Sequence, residues 1–207
     1  MKYSQIRNKL KTGDVILFSG KGGISDGIKF FSRSIWSHVA IVYKIKDKSI
    51  GEDTLFCWES TTLNNIKDAE TGKLTKGVQR VELSERLEKC FATGYKISIR
   101  QLSKPLDIDM LKALNTFREE VKGKPYEKST IQLIKAAWDG LFSFLDNKED
   151  LSSLFCSELL AAAYQKMGLL GPEPPSNEYI PKDFSKASKL QLLHGYSLNK
   201  EIVIEKM

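Results

Sequence analysis

Cys156 is the residue whose type and setting most directly suggest covalent chemistry. It lies in segment 154–164, where apolar residues recur every three or four positions and a run of alanines favours a helix. We therefore expect Cys156 in the first turn of a buried helix, where the helix dipole and unpaired N–H groups stabilise a thiolate. Its own backbone N–H is then expected to bind an oxyanion. The alternative is a small, buried, unreactive side chain.

His38 is one of two histidines, and it stands at the entrance of a segment rich in β-branched residues, 39–43. This composition predicts a strand. An imidazole at a strand end is held by rigid backbone while its edge faces a cleft, which suits a general base. The alternative is a surface or capping histidine.

Glu59 lies near the end of another predicted strand, 54–61. Alternation along the strand puts Cys57 and Glu59 on one face, opposite Phe56 and Trp58. If this strand pairs with the His38 strand, Glu59 reaches the distal ring nitrogen, fixes the tautomer and stabilises the imidazolium. The alternative is an exposed glutamate at a strand end.

Neither a cofactor nor a metal is expected. The two histidines and three cysteines show no ligand spacing, and the His-Glu-x-x-His motif is absent. A zinc site formed by Cys57, Cys156, His38 and His194 is the remaining alternative.

Length and composition indicate a globular protein with one domain, residues 1–207. The chain has 41% apolar and 10% aromatic residues, enough for one substantial core. Its three cysteines are odd in number and widely spaced, which favours a reducing compartment. No apolar run reaches the length of a membrane span, and no signal-peptide core is apparent. A cytoplasmic location is therefore expected, with a viral or phage particle as the alternative.

The net charge of +6 is unevenly distributed: through Lys104 there are 19 Lys and Arg against 11 Asp and Glu, and afterwards 13 against 15. A solvated, lysine-rich surface is the preferred interpretation. Peripheral contact with an anionic surface is the alternative. No dense basic cluster indicates a nucleic-acid partner. The sequence makes no prediction of oligomeric state.

The pattern of apolar residues changes from strands to helices after Pro105. The first of these helices is expected to turn Ile108, Leu111, Leu114, Phe117 and Val121 inward. In chain order, the predicted elements are a short amphipathic segment 6–10, a strand 14–19, a helix 25–32, strands 36–43, 54–61 and 77–83, a helix 84–90, a strand 95–102, helices 107–121 and 129–145, the Cys156 helix ending near Gly168, and closing strands 191–197 and 201–205.

Five short motifs occur in a fixed order that resembles a known family. The chain is similar to the circularly permuted branch of the NlpC-type papain-like cysteine hydrolases, which includes YiiX-like bacterial proteins, poxvirus relatives and, more distantly, lecithin retinol acyltransferase. The resemblance extends over residues 12–183. The motifs that carry it are Gly13-Asp14-Val15, Ser37-His38-Val39-Ala40-Ile41-Val42, Glu59-Ser60 followed by Gly77-Val78, Gly123-Lys124-Pro125-Tyr126, and Phe155-Cys156-Ser157-Glu158.

The resemblance implies an α+β, permuted papain-like fold, with an antiparallel sheet or partial barrel packed against a helical layer that carries the nucleophile. At matching positions it implies Cys156 as nucleophile, His38 as general base and acid, and Glu59 as the group that orients His38. It also implies that Tyr126 and Ser37 contact the substrate or the oxyanion. Triads are recognised by geometry, so the chain order His, Glu, Cys is no obstacle.

These residues predict a cysteine peptidase or amidase that forms an acyl-enzyme on small peptide-like or acyl substrates. A thiol acyltransferase or lipid hydrolase on the same triad is one alternative. A non-catalytic module that retains the fold and binds a ligand is the other.

Overall fold

The structure is a computed structural model that describes residues 1–21, 23–46, 53–61, 63–123 and 152–207. The elements within these ranges, in chain order, are α1 (Tyr3–Ile6), a 3-10 turn (Arg7–Lys9), β1 (Val15–Ser19), α2 (Gly23–Ser32), β2 (His38–Lys46), β3 (Asp53–Thr61), β4 (Gly77–Glu82), α3 (Leu83–Ala92), β5 (Lys96–Arg100), α4 (Ile108–Val121), α5 (Ser152–Lys166), 3-10 turns (Ser176–Glu178 and Pro181–Phe184) and β6 (Ile202–Ile204).

The described strands form one six-stranded sheet in the order β4-β3-β2-β1-β5-β6. Every neighbouring pair is antiparallel. The first strand, β1, lies near the centre and is buried along its whole length, as its unbroken apolar run predicts. The α+β class and the antiparallel sheet are confirmed. The permuted papain-like arrangement stays a prediction.

Helices cover both faces of the sheet, so two apolar clusters lie on opposite sides of it. The first cluster joins α4 and α5 to the face that includes Val39, Ile41 and Trp58. The second joins α1 and α3 to the face that includes Ala40 and Cys57. Alternation along the strands makes this division, because successive side chains point to opposite faces. None of the described helices is both long and apolar enough to cross a membrane.

Tyr164 fixes α5 to the turn that precedes β1. Its hydroxyl donates to the carbonyl of Gly13 at 2.6 Å, and the side chain is fully buried. Gly13 has a φ of 96°, and a Cβ there would lie 2.7 Å from Cδ1 of Leu102. Only glycine tolerates both the positive φ and the close contact. The turn therefore requires Gly13, and it binds the helix that carries Cys156 through Tyr164.

The first and last residues of the sequence lie side by side at the edge of the sheet. The Met1 amino group donates to the Val203 carbonyl at 3.0 Å. The Tyr3 amide donates to the Lys206 carbonyl at 2.8 Å, and the Glu205 amide donates to the Met1 carbonyl at 3.0 Å. The bridge between Lys2 and Lys206 is parallel, so the N-terminal residues add to the segment around β6.

Two expectations about the helical half and the closing segment are wrong. In α4, Leu114 and Phe117 are buried as expected, but Ile108 is 72% exposed and Met110, which was not predicted to face inward, is buried. Asp107 caps the helix by accepting from the Met110 amide at 2.8 Å, which places Ile108 in the exposed first turn. Segment 191–197 is not a strand, because His194 and Gly195 both adopt positive φ and form a turn. The predicted helix 129–145 lies outside the described residues.

Replacing Tyr164 by Phe should lower the free energy of unfolding by about 1–2 kcal/mol, because the buried Gly13 carbonyl loses its donor. Urea denaturation followed by circular dichroism measures this change. Tyr95→Phe is the matched control: Tyr95 is partly exposed, and its loss of a hydroxyl should cost less than about 0.5 kcal/mol. Equal effects of the two substitutions would contradict the role given to Tyr164.

Candidate active site

His38 and Glu59 form a direct hydrogen bond across neighbouring strands. Nε2 of His38, the first residue of β2, lies 2.6 Å from Oε2 of Glu59 on β3. The two strands pair antiparallel, so the contact expected if they pair is present. The Glu59 side chain is 0% exposed, which excludes the alternative of an exposed glutamate.

Two further side chains bind the Glu59 carboxylate. Nε2 of Gln79, directly opposite on β4, donates to Oε1 at 3.0 Å. Arg86 on α3 donates from Nη2 to Oε2 at 3.1 Å, and its Nε lies 3.0 Å from Oε1. Each carboxylate oxygen therefore has two nitrogen neighbours, which leaves the carboxylate little rotational freedom.

These neighbours determine the charge of Glu59. Burial raises the pKa of this carboxyl. The charge of Arg86 and the contacts with His38 and Gln79 have the larger, opposite effect and lower the pKa to about 2. Glu59 is consequently an ionised carboxylate at neutral pH, buried together with its counter-ion.

Cys156 contacts the same imidazole. Its side chain forms a hydrogen bond with the His38 ring, although the two residues lie on separate elements. Burial lowers the pKa of His38, but the charge and hydrogen bond of Cys156, followed by those of Glu59, raise it to about 9. Because Nε2 faces Glu59, the other ring nitrogen, Nδ1, is the one placed to exchange a proton with the thiol.

The expected position of Cys156 in the first helical turn is wrong. The helix α5 begins at Ser152, so Cys156 is its fifth residue and lies in the second turn. At that position, the backbone N–H bonds to the carbonyl four residues earlier and is not available to an oxyanion. The effect of the helix dipole on a side chain also falls off after the first turn.

Ser37, another predicted site residue, bonds to backbone groups at the end of β1. The Ser37 hydroxyl accepts from the Gly20 amide at 2.9 Å, and the Ser37 amide donates to the Phe18 carbonyl at 2.9 Å. Ser37 thus ties the end of β1 to the start of β2, and a contact with substrate stays a prediction. Tyr126 lies outside the described residues.

The four residues of the alternative zinc site, Cys57, Cys156, His38 and His194, do not come together. His194 lies beside Gly168, just beyond the C-terminal end of α5. Cys156 lies in the second turn of the same helix, so several helical turns separate the two side chains. Within the described ranges, no group of three or more His, Cys, Asp and Glu side chains is arranged to hold a metal ion. Cys57 and Cys90 are free, buried thiols, and burial raises the pKa of both.

Sequence reasoning missed Arg86 and Gln79. Arg86 shares the buried face of α3 with Leu83, Leu87 and Cys90, a position where a charge is stable only if it is paired. Gln79 occupies an inward position of the alternating strand β4. Two features of the sequence indicated buried polar partners. One is a charged residue in an apolar stripe, and the other is an amide at an inward strand position.

Comparisons with known proteins give a structural likeness only. No family model matches the sequence, and no curated protein matches it. The fold is similar to that of metalloprotein YiiX from Escherichia coli, with a TM-score of 0.46 and 18% sequence identity. The match covers 76% of this chain and 66% of that protein. This chain therefore spans just under two thirds of the length of YiiX.

The unfolding free energy should decrease as the pH rises from about 6.5 to about 9. The pKa of His38 is raised from 6.5 to about 9 in the folded protein, so unfolding releases a proton in this interval. The stabilisation is complete below the lower value and is lost as the pH passes the upper one. Urea denaturation at closely spaced pH values measures it.

His38→Gln should abolish this part of the pH dependence, whereas the matched control His194→Gln should retain it. The raised pKa is contradicted if wild type and His38→Gln show the same slope over the interval.

Proposed function

We propose that this chain is a cysteine-dependent amide hydrolase. In this proposal Cys156 is the nucleophile, His38 is the general base and acid, and Glu59 orients His38. The observation that carries the proposal is that one imidazole hydrogen-bonds to both a thiol and a buried carboxylate. The likeness to YiiX adds no argument for activity. The proposal includes a permuted papain-like arrangement within a single domain, residues 1–207.

The charge of Glu59 favours a catalytic role for the imidazole over a structural one. A histidine that only fills space between strands needs no ionised neighbour. Here a buried carboxylate, with a pKa lowered to about 2, faces one nitrogen of His38 and increases its affinity for a proton. That arrangement stabilises the imidazolium that forms when the thiol gives up its proton.

The first half of the reaction forms an acyl-enzyme. His38 accepts the proton of Cys156, and the thiolate sulfur attacks the amide carbonyl carbon. As the tetrahedral intermediate collapses, its C–N bond breaks. His38 returns its proton to the departing amine. A thioester between the acyl group and Cys156 remains.

The second half releases the acyl group. His38 accepts a proton from water, and the resulting hydroxide oxygen attacks the thioester carbonyl. The C–S bond breaks, a carboxylic acid leaves, and the proton on His38 returns to the thiolate. If an amine or alcohol replaces water, the same steps transfer the acyl group, which is the acyltransferase alternative.

Access to the sulfur constrains the substrate. Cys156 is 1% exposed, whereas the His38 side chain is 13% exposed. An acyl group can therefore reach the sulfur only if the atoms that cover the thiol move. A small electrophile is the most direct probe of this access.

Iodoacetamide should label Cys156 faster than Cys57 and Cys90. The three residues are 1%, 0% and 2% exposed, so exposure does not favour Cys156, and activation by His38 is the difference between them. Mass spectrometry of the digested protein gives the labelling rate at each cysteine. His38→Ala should slow the labelling of Cys156 by about tenfold or more.

His194→Ala is the matched control and should leave all three rates unchanged. If Cys156 reacts no faster than the other two thiols, or if His38→Ala has no effect on it, the thiol is not activated and the non-catalytic binding module is favoured.

The substrate class is tested by assaying peptide amides, thioesters and acyl lipids, with and without an added amine acceptor. Wild type should release carboxylic acid from peptide amides, and Cys156→Ala should be inactive. Glu59→Gln should lower kcat/KM by about 10²–10⁴-fold, because the imidazolium loses its carboxylate. A preference for lipid esters, or for the acceptor over water, would replace the amidase with the corresponding alternative.

A further inference from the structure

We propose that Arg86 is a positioning residue of this site: it shares the charge of Glu59 with His38, so that the carboxylate orients the imidazole without holding it permanently in the protonated form. The catalytic consequence rests on the proposed function. The electrostatic effect itself is independent of any substrate.

The geometry supports a specific pairing between Arg86 and Glu59. The guanidinium contacts both carboxylate oxygens, at 3.1 Å and 3.0 Å, and the Arg86 side chain is 2% exposed. Oε2 is also the oxygen that lies 2.6 Å from Nε2 of His38. A change at Arg86 therefore acts on the same oxygen that binds the imidazole.

The surrounding structure fixes Arg86 in this position. It extends from the buried face of α3, between Leu83 and Leu87. Its guanidinium lies 5.5 Å from the centre of the Phe18 ring, and the centroid of that ring lies 5.4 Å from the centroid of His38. The packing of one aromatic ring against both groups limits their relative movement.

Charge balance explains what Arg86 does for the imidazole. If Glu59 had no partner except His38, removing the imidazolium proton would leave an unpaired carboxylate in the core, which is strongly unfavourable. The imidazole would then keep its proton. With Arg86 present, Glu59 has a counter-ion whether or not His38 is protonated. In the acyl-enzyme the sulfur carries no charge, so the first of the contributions that raise the pKa of His38 is removed. The neutral imidazole that the second half of the reaction requires as a base is then accessible.

The other titratable groups near this pair do not supply the countercharge. They are Cys57 on β3, Cys90 on α3, Tyr95 just before β5 and Cys156 on α5. Burial raises the pKa of the Tyr95 hydroxyl, which is therefore neutral at physiological pH. Burial raises the pKa of Cys57 and raises that of Cys90 to about 11, so both thiols are neutral at physiological pH. A charge on Cys156 would be negative, so it cannot balance that of Glu59. Arg86 is thus the cation that these contacts assign to Glu59.

The use of Arg86 differs from that of another buried arginine of the same protein. Arg100 donates to the carbonyls of four residues, and these bonds hold the C-terminal segment against β5: Phe184, Ser185, Leu198 and Asn199. Arg100 binds backbone carbonyls, whereas Arg86 binds a side-chain carboxylate of the candidate site.

The test is an NMR titration of the His38 imidazole in the full chain with Cys156→Ala, which removes the thiol that contacts the imidazole. The protein has two histidines, so His194→Gln assigns the signals. Adding Arg86→Gln should raise the midpoint of His38 by about one pH unit or more, a tenfold change in proton affinity. In a Glu59→Gln background, the same change should shift the midpoint much less.

Arg118→Gln is the matched control, because Arg118 is also largely buried but is paired with Glu70, and it should leave the midpoint unchanged. If Arg86→Gln does not fold, Arg86→Lys is used instead. It keeps the charge but loses the bidentate contact with Glu59, and it should raise the midpoint of His38 by a smaller amount. The inference is overturned if the folded variant shows no shift, or if the shift is equal with and without Glu59.

Rapid-mixing kinetics with an activated ester then separates this inference from the proposed function. If the proposed function holds, Arg86→Gln should slow deacylation by about tenfold or more while the acylation burst persists. If no variant hydrolyses any substrate, the proposed function fails, and the NMR titration still decides the role of Arg86. A shift of the midpoint without slower deacylation would overturn the catalytic part of the inference alone.

Discussion

The structure depends on one ionised carboxylate that is removed from water. Burying Glu59 without partners would cost several kcal/mol, and the surrounding contacts offset this cost. Arg86 supplies the opposite charge, while Gln79 and His38 occupy the remaining acceptor positions. Glu59 therefore constrains how β3 pairs with β2 and β4 and how α3 packs against these strands.

The site also connects the two faces of the sheet. Glu59 and Arg86 belong to the side covered by α1 and α3, whereas Cys156 packs in the cluster formed with α4 and α5. His38 links them because it stands at the first position of its strand, where a ring can reach past the end of the sheet. Rotation of α5 would break the link to Cys156 and leave the Glu59 network unchanged.

The sequence predicted the strands and the His38–Glu59 contact well, because alternation determines which side chains share a face. It did not predict Arg86, since an arginine in an apolar stripe reveals that a partner exists but not which one. The start of α5 was misplaced for a related reason: helix ends depend on capping interactions that apolar spacing does not encode. Positive φ at His194 ended the proposed strand 191–197, and the spacing of leucines there gave no sign of it.

The hydrogen bonds that join Met1 and Tyr3 to the backbone near β6 bear on how such a site relates to chain connectivity. Where the two ends of a folded segment lie side by side, joining them with a short peptide and opening the chain at a surface turn changes the order of the elements along the chain but preserves the fold. An imidazole that precedes a thiol in one chain and follows it in another can then occupy the same position relative to it.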